Sequence, residues 1–509
     1  MKFREFSALI ILCIVITLIG CSSGIDFPDD TTADLPVGRI IEAASPSQED
    51  VQAAIDQAED GDIVLVPAGT ATWSTDDANK SAVVIDKKGI NLMGAGVGKT
   101  TILGGYAIYV NGGRGNPFRI SGFSFRGANI VIGGDCLGWR IDNCDFYNES
   151  GMTSIYTNGY TRGVIDHNSF LNCRVLVKED NYGISAWKRP LRLGTADAVY
   201  LEDNHYRREV HGNSIDANSG GQYVFRYNEV INSSCEAHSL QNAWADSGTF
   251  ERATRSYEIY NNEFIADEGK SNWGAVFVRG GTGVIYDNTI ENLAGDPYNL
   301  FVAVDNLRSF TTCAAPLLKA DGTNLLDGNE DETGYPALDQ IGRSTDNGDG
   351  DNYHPQAHEP LYVWGNTMDG NSAGAYVHNT SREGSLVAEH IKENRDFYHQ
   401  QHPTYTAYTY PHPVANGSTL ELRILATTSL QIGQQYSIRW QAEEDIVVGN
   451  ISVDLYQGSK KIIDIANVDV SDGEYTWTVP ESLNPGKHYR VRIFQGAIQD
   501  ISSEIEIID

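Results

Sequence analysis

A histidine, a lysine, three arginines and several carboxylates crowd the middle of the chain: Lys178, Asp180, Asp216, Glu236, His238, Arg252, Arg255, Glu258 and Arg279. These residue types suit proton transfer beside a negatively charged group. His238 or Lys178 would act as the base, while Arg252, Arg255 and Arg279 would neutralise a substrate carboxylate and so acidify the adjoining C–H bond. The same stretch offers a second chemistry, because Asp216 and Glu236 are the nearest pair of carboxylates for flanking and hydrolysing a glycosidic bond. A third reading makes these groups ion pairs that tie neighbouring segments together. The choice depends on the elements that carry them.

Those elements are announced by a repeat. An apolar residue, two variable ones, Asn, one variable and another apolar residue recur as Ile165-x-x-Asn168-x-Phe170, Leu201-x-x-Asn204-x-Tyr206, Phe225-x-x-Asn228-x-Val230, Ile259-x-x-Asn262-x-Phe264, Ile285-x-x-Asn288-x-Ile290 and Val363-x-x-Asn366-x-Met368, with Ile141-x-x-Cys144-x-Phe146 as a variant. Successive positions are 24, 36, 24, 34, 26 and 78 residues apart, which fits a coil of about 24 residues with insertions on some turns. A single coil cannot bury its inner face, so coils stack and equivalent residues form ladders. At an inward bend, an Asn amide bonds along a ladder of its own kind and tolerates the left-handed backbone of a corner.

The residue two before each Asn then points outward. That column reads Asp142, Asp166, Glu202, Arg226, Tyr260, Tyr286 and Trp364, and its rings Tyr260, Tyr286 and Trp364 are expected to stack on sugar faces. Ten residues after the ladder Asn fall Lys178 and His238, and twelve after fall Asp180 and Asp216, which predicts a shared edge. The long insertion 293–360 is expected to wall a groove, with Arg343 as a substrate contact. Its run Asp346-Asn347-Gly348-Asp349-Gly350-Asp351 has calcium-loop composition through Asp346, Asp349 and Asp351 but lacks the EF-hand order, so calcium is the one cofactor expectation.

Ahead of the array, Ser47 and Asp50 suit a helix cap, followed by Val51, Ala54, Ile55 and Ala58 on one face, then by Gly61-Asp62-Ile63-Val64-Leu65-Val66-Pro67-Ala68-Gly69. A short helix leading into a first strand would close the open end of a solenoid. This stretch from Asp50 to Gly69 resembles the N-terminal opening of pectate-lyase-like proteins, and the Asn repeats resemble their coils. The resemblance spans roughly residues 40 to 410 and implies an all-β fold: a right-handed parallel β-helix with a short N-terminal capping helix, followed by a small β-sandwich. It implies fold more than chemistry. The paired-Asp motifs of polygalacturonases and the Arg-centred motif of pectate lyases proper are both missing, so no residue role carries over.

The pattern breaks at Pro403, Pro411 and Pro413, which read as a terminal cap and linker. Short alternating strands follow over Leu420–Leu425, Gln435–Trp440, Ile451–Tyr456, Lys461–Ile465, Gly473–Val479, Tyr489–Phe494 and Ser503–Ile508, as in an immunoglobulin-like sandwich. The segments around Trp440 and Trp477 resemble the Ser/Thr-rich-anchored sandwich modules appended to surface enzymes, and both rings are expected in the core.

At the other end, Lys2 and Arg4 precede an apolar run from Ala8 to Ile19, too short to span a bilayer comfortably and suited to an export signal. Leu18-Ile19-Gly20-Cys21 resembles a bacterial lipobox, which implies cleavage before Cys21 and lipidation of its thiol. The predicted organisation is a signal over 1–20, a tether over 21–39, the β-helix over 40–415 and the sandwich over 416–509. With Cys13 in the signal and Cys21 lipidated, Cys136, Cys144, Cys173, Cys235 and Cys313 remain from seven cysteines; an odd number cannot all pair, and they read as small buried side chains.

A net charge of −31 over 509 residues repels phosphate backbones and anionic lipid, so no nucleic acid is expected and the membrane is met through the N-terminal lipid alone. The expected protein is an exported monomer, lipid-anchored to the outer membrane or cell surface, whose partner is a polysaccharide. Its leading function is a polysaccharide lyase on an acidic or decorated glycan. A glycoside hydrolase on the same fold and a non-catalytic glycan- or partner-binding solenoid are the alternatives.

Overall fold

The computed structural model describes residues 39–509 except 76–80, 181, 240, 245–248, 269–273, 296–299, 303–337, 347–355, 379–380, 383–384, 387–390, 417–419, 423–428, 443–446, 448, 458–459, 496–497 and 503–504. The signal, Cys21, the tether, Cys313, Asp349 and Asp351 therefore lie outside the described residues. Among those described, no helix is long and apolar enough to cross a membrane.

A parallel β-helix forms the main body. Each coil contributes strands to three faces. The first face holds the residues that precede each ladder Asn, such as Val199–Glu202, Gln222–Arg226, Ser256–Tyr260, Thr282–Tyr286 and Leu361–Trp364, paired in parallel and in register. The second holds three- and four-residue strands just after the Asn, among them Ser169–Leu171, His205–Arg207, Glu229–Ile231 and Glu263–Ala266. The third holds Arg174–Lys178, Asn213–Ala217, Ser234–Ala237 and Val276–Val278. Two strands of 14 residues, Asn129–Asp142 and Thr153–Asp166, run through the corner from the third face to the first.

The asparagines form the predicted ladder. Asn168, Asn204, Asn228, Asn262 and Asn288 each pass a backbone N–H and an amide N–H to the Oδ1 of the next, at 2.8–3.1 Å, ending on Asn366. Each amide also donates to a carbonyl of the previous coil, as Asn228 does to Leu201 O at 2.9 Å. The left-handed residue, however, is the one before the rung: Asn143, ahead of Cys144, and His167, Asp203, Tyr227, Asn261 and Asp287, each ahead of an Asn, have φ between 49° and 55°, and Gly365 takes this place in the last rung. The Asn is thereby free to point inward with its amide along the stack. Beside it, Phe125, Phe146, Phe170 and Tyr206 stack inside with centroids 5.0, 4.9 and 4.6 Å apart.

The predicted helix forms over Gln48–Gln57 (α1), with Ser47 Oγ accepting from the Asp50 N–H and Val51, Ala54 and Ile55 buried against the first coils. Gln52 ties it to the solenoid by donating to Val84 O at 3.0 Å and accepting from the Val84 N–H at 2.7 Å. Cys136, Cys144, Cys173 and Cys235 are buried free thiols within the coils.

After the last coil the chain runs back as a strap. The Arg226 guanidinium donates to Tyr408 O and Thr409 O at 2.8 Å, the His412 N–H donates to Glu202 Oε1 at 2.8 Å, and Arg140 donates to Ala415 O at 2.8 Å. The C-terminal sandwich pairs Leu420–Leu422, Gln435–Ala442 and Glu474–Thr478 in one sheet against a larger one built on Asn450–Gln457, Lys460–Asp469 and Gly486–Gln495. Trp440 and Trp477 lie in its core, each 5% exposed.

Candidate acid–base site

The third face brings four of the sequence-predicted groups together, Asp216, Glu236, His238 and Arg279. Along its outer side, parallel register sets Tyr156 beside Leu176 and Leu176 beside Asp216; Ile215 pairs with Cys235, which puts Glu236 beside Asp216, and Glu236 pairs with Phe277. Alternation turns their neighbours Val175, Ile215, Cys235 and Val276 into the core. His238 lies two residues beyond Glu236, on the same side. Its Nε2 is 3.1 Å from Asp216 Oδ2 and 3.5 Å from Glu236 Oε2.

Two arginines complete the cluster. Arg174 donates to Asp216 Oδ2 at 3.3 Å and to Thr153 Oγ1 at 3.0 Å, and Arg279 donates to Glu236 Oε2 at 3.0 Å. Among the described residues, Asp216 Oδ1 and Glu236 Oε1 are buried with no hydrogen-bond partner. Burial and Arg279 would pull the His238 imidazole down, but Asp216 and Glu236 together hold the ring above its ordinary value; burial likewise works against the Asp216 carboxylate, and His238 and Arg174 hold it below the ordinary range. The side chain of His238 is 19% exposed against 4% and 1% for Asp216 and Glu236. The geometry is therefore that of one accessible imidazole backed by two nearly sealed carboxylates.

This arrangement decides against the carboxylate pair as a hydrolytic couple. Such a pair stands on either side of the scissile bond, with about 5 Å or more between them for the sugar. Here His238 Nε2 occupies the space within reach of both, and neither carboxylate faces open solvent. A metal fits poorly as well. One atom each of Asp216, Glu236 and His238 lies within 4.8 Å of the others, but Arg174 and Arg279 already donate to the same carboxylates, and calcium takes about six to eight oxygens.

Beside the cluster opens a cavity of about 650 Å³, lined by Tyr106, Val131, Tyr156, Arg174, Leu176, Arg208 and His211 among others. Arg174 belongs to both. Burial keeps the Tyr156 phenol protonated, pushed up to about 12.

The remaining sequence-predicted groups go elsewhere. Arg252 donates to Asp339 at 2.7 Å and to Asp346 at 3.0 Å, fully buried and stacked over Trp187. Arg255 donates to Ser344 Oγ at 2.9 Å and Thr345 Oγ1 at 2.8 Å, and burial pulls it down to about 10. Both are scaffold that pins the 339–346 segment to the coils, not neutralisers of substrate. Asp346 spends its carboxylate on Arg252, which corrects its expected role in a calcium loop. Arg343 is 7% exposed in a two-stranded hairpin with Gln356–His358, too covered for the substrate contact expected of it.

Lys178 lies 3.6 Å from Glu251 Oε1 at the end of its strand. Asp180 does not share an edge with Asp216: its carboxylate caps the turn at Tyr182 and Ser185. The aromatic column is also corrected. Tyr260, Tyr286 and Trp364 do stack, at 4.6 and 4.3 Å, but Tyr260 and Tyr286 are only 1% and 9% exposed because the strap, with Tyr405 set edge-on to Tyr286, covers them. They are core of an interface between coil and strap.

Arg174, Arg208 and Tyr156 were not foreseen. No fixed offset from the ladder finds them, because the corner between the second and third faces differs in length from coil to coil.

A family model described as the Kre9/KNH-like N-terminal Ig-like domain matches residues 425–503, within the sandwich. It speaks for that module and not for the coils. No curated protein matches the chain.

Proposed function

We propose that this is an exported surface protein acting on carbohydrate, and that its β-helix is a polysaccharide lyase for an acidic or decorated glycan with His238 as the group that moves the proton. The observation that carries this reading is the convergence of Asp216, Glu236 and His238 on one outer face beside a cavity with basic walls. In β-elimination a base takes the C5 proton, the C4–O bond breaks, a C4–C5 double bond forms and the leaving oxygen acquires a proton from water. His238 is the accessible base, and Asp216 stabilises the imidazolium that results. Arg174, at the junction of cluster and cavity, takes the neutralising role first sought in Arg252 and Arg255.

The Kre9/KNH-like Ig-like match of the sandwich supports a surface or secreted setting. Lipid anchoring through Cys21 is the attachment the N-terminal sequence suggests.

The test is to incubate the soluble chain beginning after Cys21 with a panel of acidic, sulfated and neutral polysaccharides, following both the ultraviolet absorbance of unsaturated ends and the appearance of reducing ends. Unsaturated ends that vanish in His238→Gln support the lyase. Reducing ends without unsaturation would make it a hydrolase, and silence with retained glycan binding would make it a binding solenoid.

A further inference from the structure

Arg208 is the least compensated charge near the site. It is 3% exposed, it lines the cavity, and its one described side-chain hydrogen bond runs from Nη2 to Gly151 O at 3.3 Å. Among the described residues, Nε and Nη1 have no hydrogen-bond partner. A buried guanidinium left this way is costly, since a charge removed from water is ordinarily repaid by a carboxylate within hydrogen-bond reach. The fold nevertheless makes room for it: a Cβ on Gly212 would stand 2.1 Å from Nη2, and one on Gly151 would stand 2.8 Å from the same atom. Arg174 adds a second positive group to the cavity wall, which Tyr106 and Tyr156 also line.

We propose that this cavity is an anion-recognising subsite in which Arg208, assisted by Arg174, receives a carboxylate or sulfate group of a glycan. The proposal rests on the reading of the neighbouring cluster as a glycan site. It gives Arg208 the role of a specificity-determining residue: Nε and Nη1 are unused donors on different edges of the guanidinium, and a charge-assisted hydrogen bond from either to an oxyanion would repay the buried charge. A neutral sugar has no group to repay the buried charge. Nε and Nη1 are both buried, so binding should be accompanied by a local rearrangement of the cavity wall.

The experiment is calorimetric and thermal. The full soluble chain is titrated with a uronic-acid oligosaccharide, a sulfated oligosaccharide and a neutral one of equal length, in parallel with Arg208→Met and Arg208→Lys. The wild type should bind one of the two anionic probes, which identifies the source of the anion, and prefer it to the neutral probe by about tenfold to a hundredfold. Arg208→Met should lose that preference while melting no lower than the wild type without ligand, because an uncompensated buried charge has been removed. Arg208→Lys should retain part of the preference, having the charge on one nitrogen and not spread over a planar guanidinium.

Equal affinity of the wild type for all three probes would overturn the proposal, as would a folded Arg208→Met that keeps the preference. Should Arg208→Met not fold, Arg208 is a structural residue unless Arg208→Lys folds and weakens only the anionic probe. Failure of the chemistry is distinguishable: binding of the anionic probe through Arg208 with no turnover sinks the lyase and leaves the subsite, whereas turnover without anion preference does the reverse.

Discussion

Replacing Asn228 by Ala tests the ladder at an interior rung. The amide donates to Leu201 O and Arg226 O at 2.9 Å and to Asn262 Oδ1 at 3.0 Å, and its Oδ1 accepts from the Asn204 N–H at 3.0 Å and from Asn204 Nδ2 at 3.1 Å. The residue is 2% exposed, so water cannot replace what is lost. Asn204 Nδ2 keeps two other acceptors, Ile165 O and Glu202 O, but the Asn204 N–H is left with none. One orphaned buried donor costs about 1–3 kcal/mol, and the other lost bonds add about 0.5–1.5 kcal/mol each, partly relieved by relaxation, for a total of about 3–5 kcal/mol. The control is Asn261→Gly at the neighbouring corner. Its φ of 54° suits glycine, and the change should be near neutral. Denaturant unfolding followed by the fluorescence of buried Trp73, Trp139 and Trp187 reports the loss, and hydrogen exchange at the Asn204 amide reports its place. A cost for Asn228→Ala within about 1 kcal/mol of the control would refute the idea that these amides hold the coils together.

Further outcomes follow from the buried charges. Because Asp216 holds the His238 imidazole above its ordinary value of 6.5, the rising limb of kcat/KM with pH should fall above that value, and Asp216→Asn should move it to lower pH while reducing the rate; a limb that does not move removes His238 from the role of base. Arg252→Ala leaves Asp339 and Asp346 buried without their cation and should cost about 3–5 kcal/mol by denaturant unfolding, where a loss below about 1 kcal/mol would contradict the scaffold role. Burial pushes the Glu258 carboxyl from 4.5 up to about 7, so the folded state binds this proton more tightly than the unfolded chain. Relative to Glu258→Gln, wild-type stability should therefore fall as pH rises from 4.5 to about 7 and run parallel above that window, with a span of at most about 3 kcal/mol. Parallel curves throughout would show that Glu258 does not titrate there.

The coils were legible because stacking forces one residue type into one position: six asparagines at irregular intervals still mark one column, since insertions fall in the corners and not in the strands between them. The cap at Ser47 was legible because it is local. The outer surface was not. Asp216 and Glu236 are neighbours although one lies twelve residues after Asn204 and the other eight after Asn228, because the turn at 207–212 is longer than its counterpart in the next coil. An offset of twelve consequently paired Asp216 with Asp180 in error. The rings of Tyr260, Tyr286 and Trp364 looked exposed because the sequence shows which way a strand side chain points and not what later covers it. The cover comes from Tyr405 and its neighbours, more than a hundred residues downstream of Tyr286, and no periodicity links the two. Arg208 carried no signal, since the unmet donors Nε and Nη1 exist only in the folded packing.

A crystallographic difference map of His238→Gln soaked with an acidic oligosaccharide would place the glycan directly. It should lie along the third face, with one sugar over Tyr156 and Leu176, an anionic group toward Arg174 and Arg208, and a glycosidic bond within reach of position 238. Density confined to the sandwich or to the opposite faces of the coil, with this face empty, would contradict the site altogether.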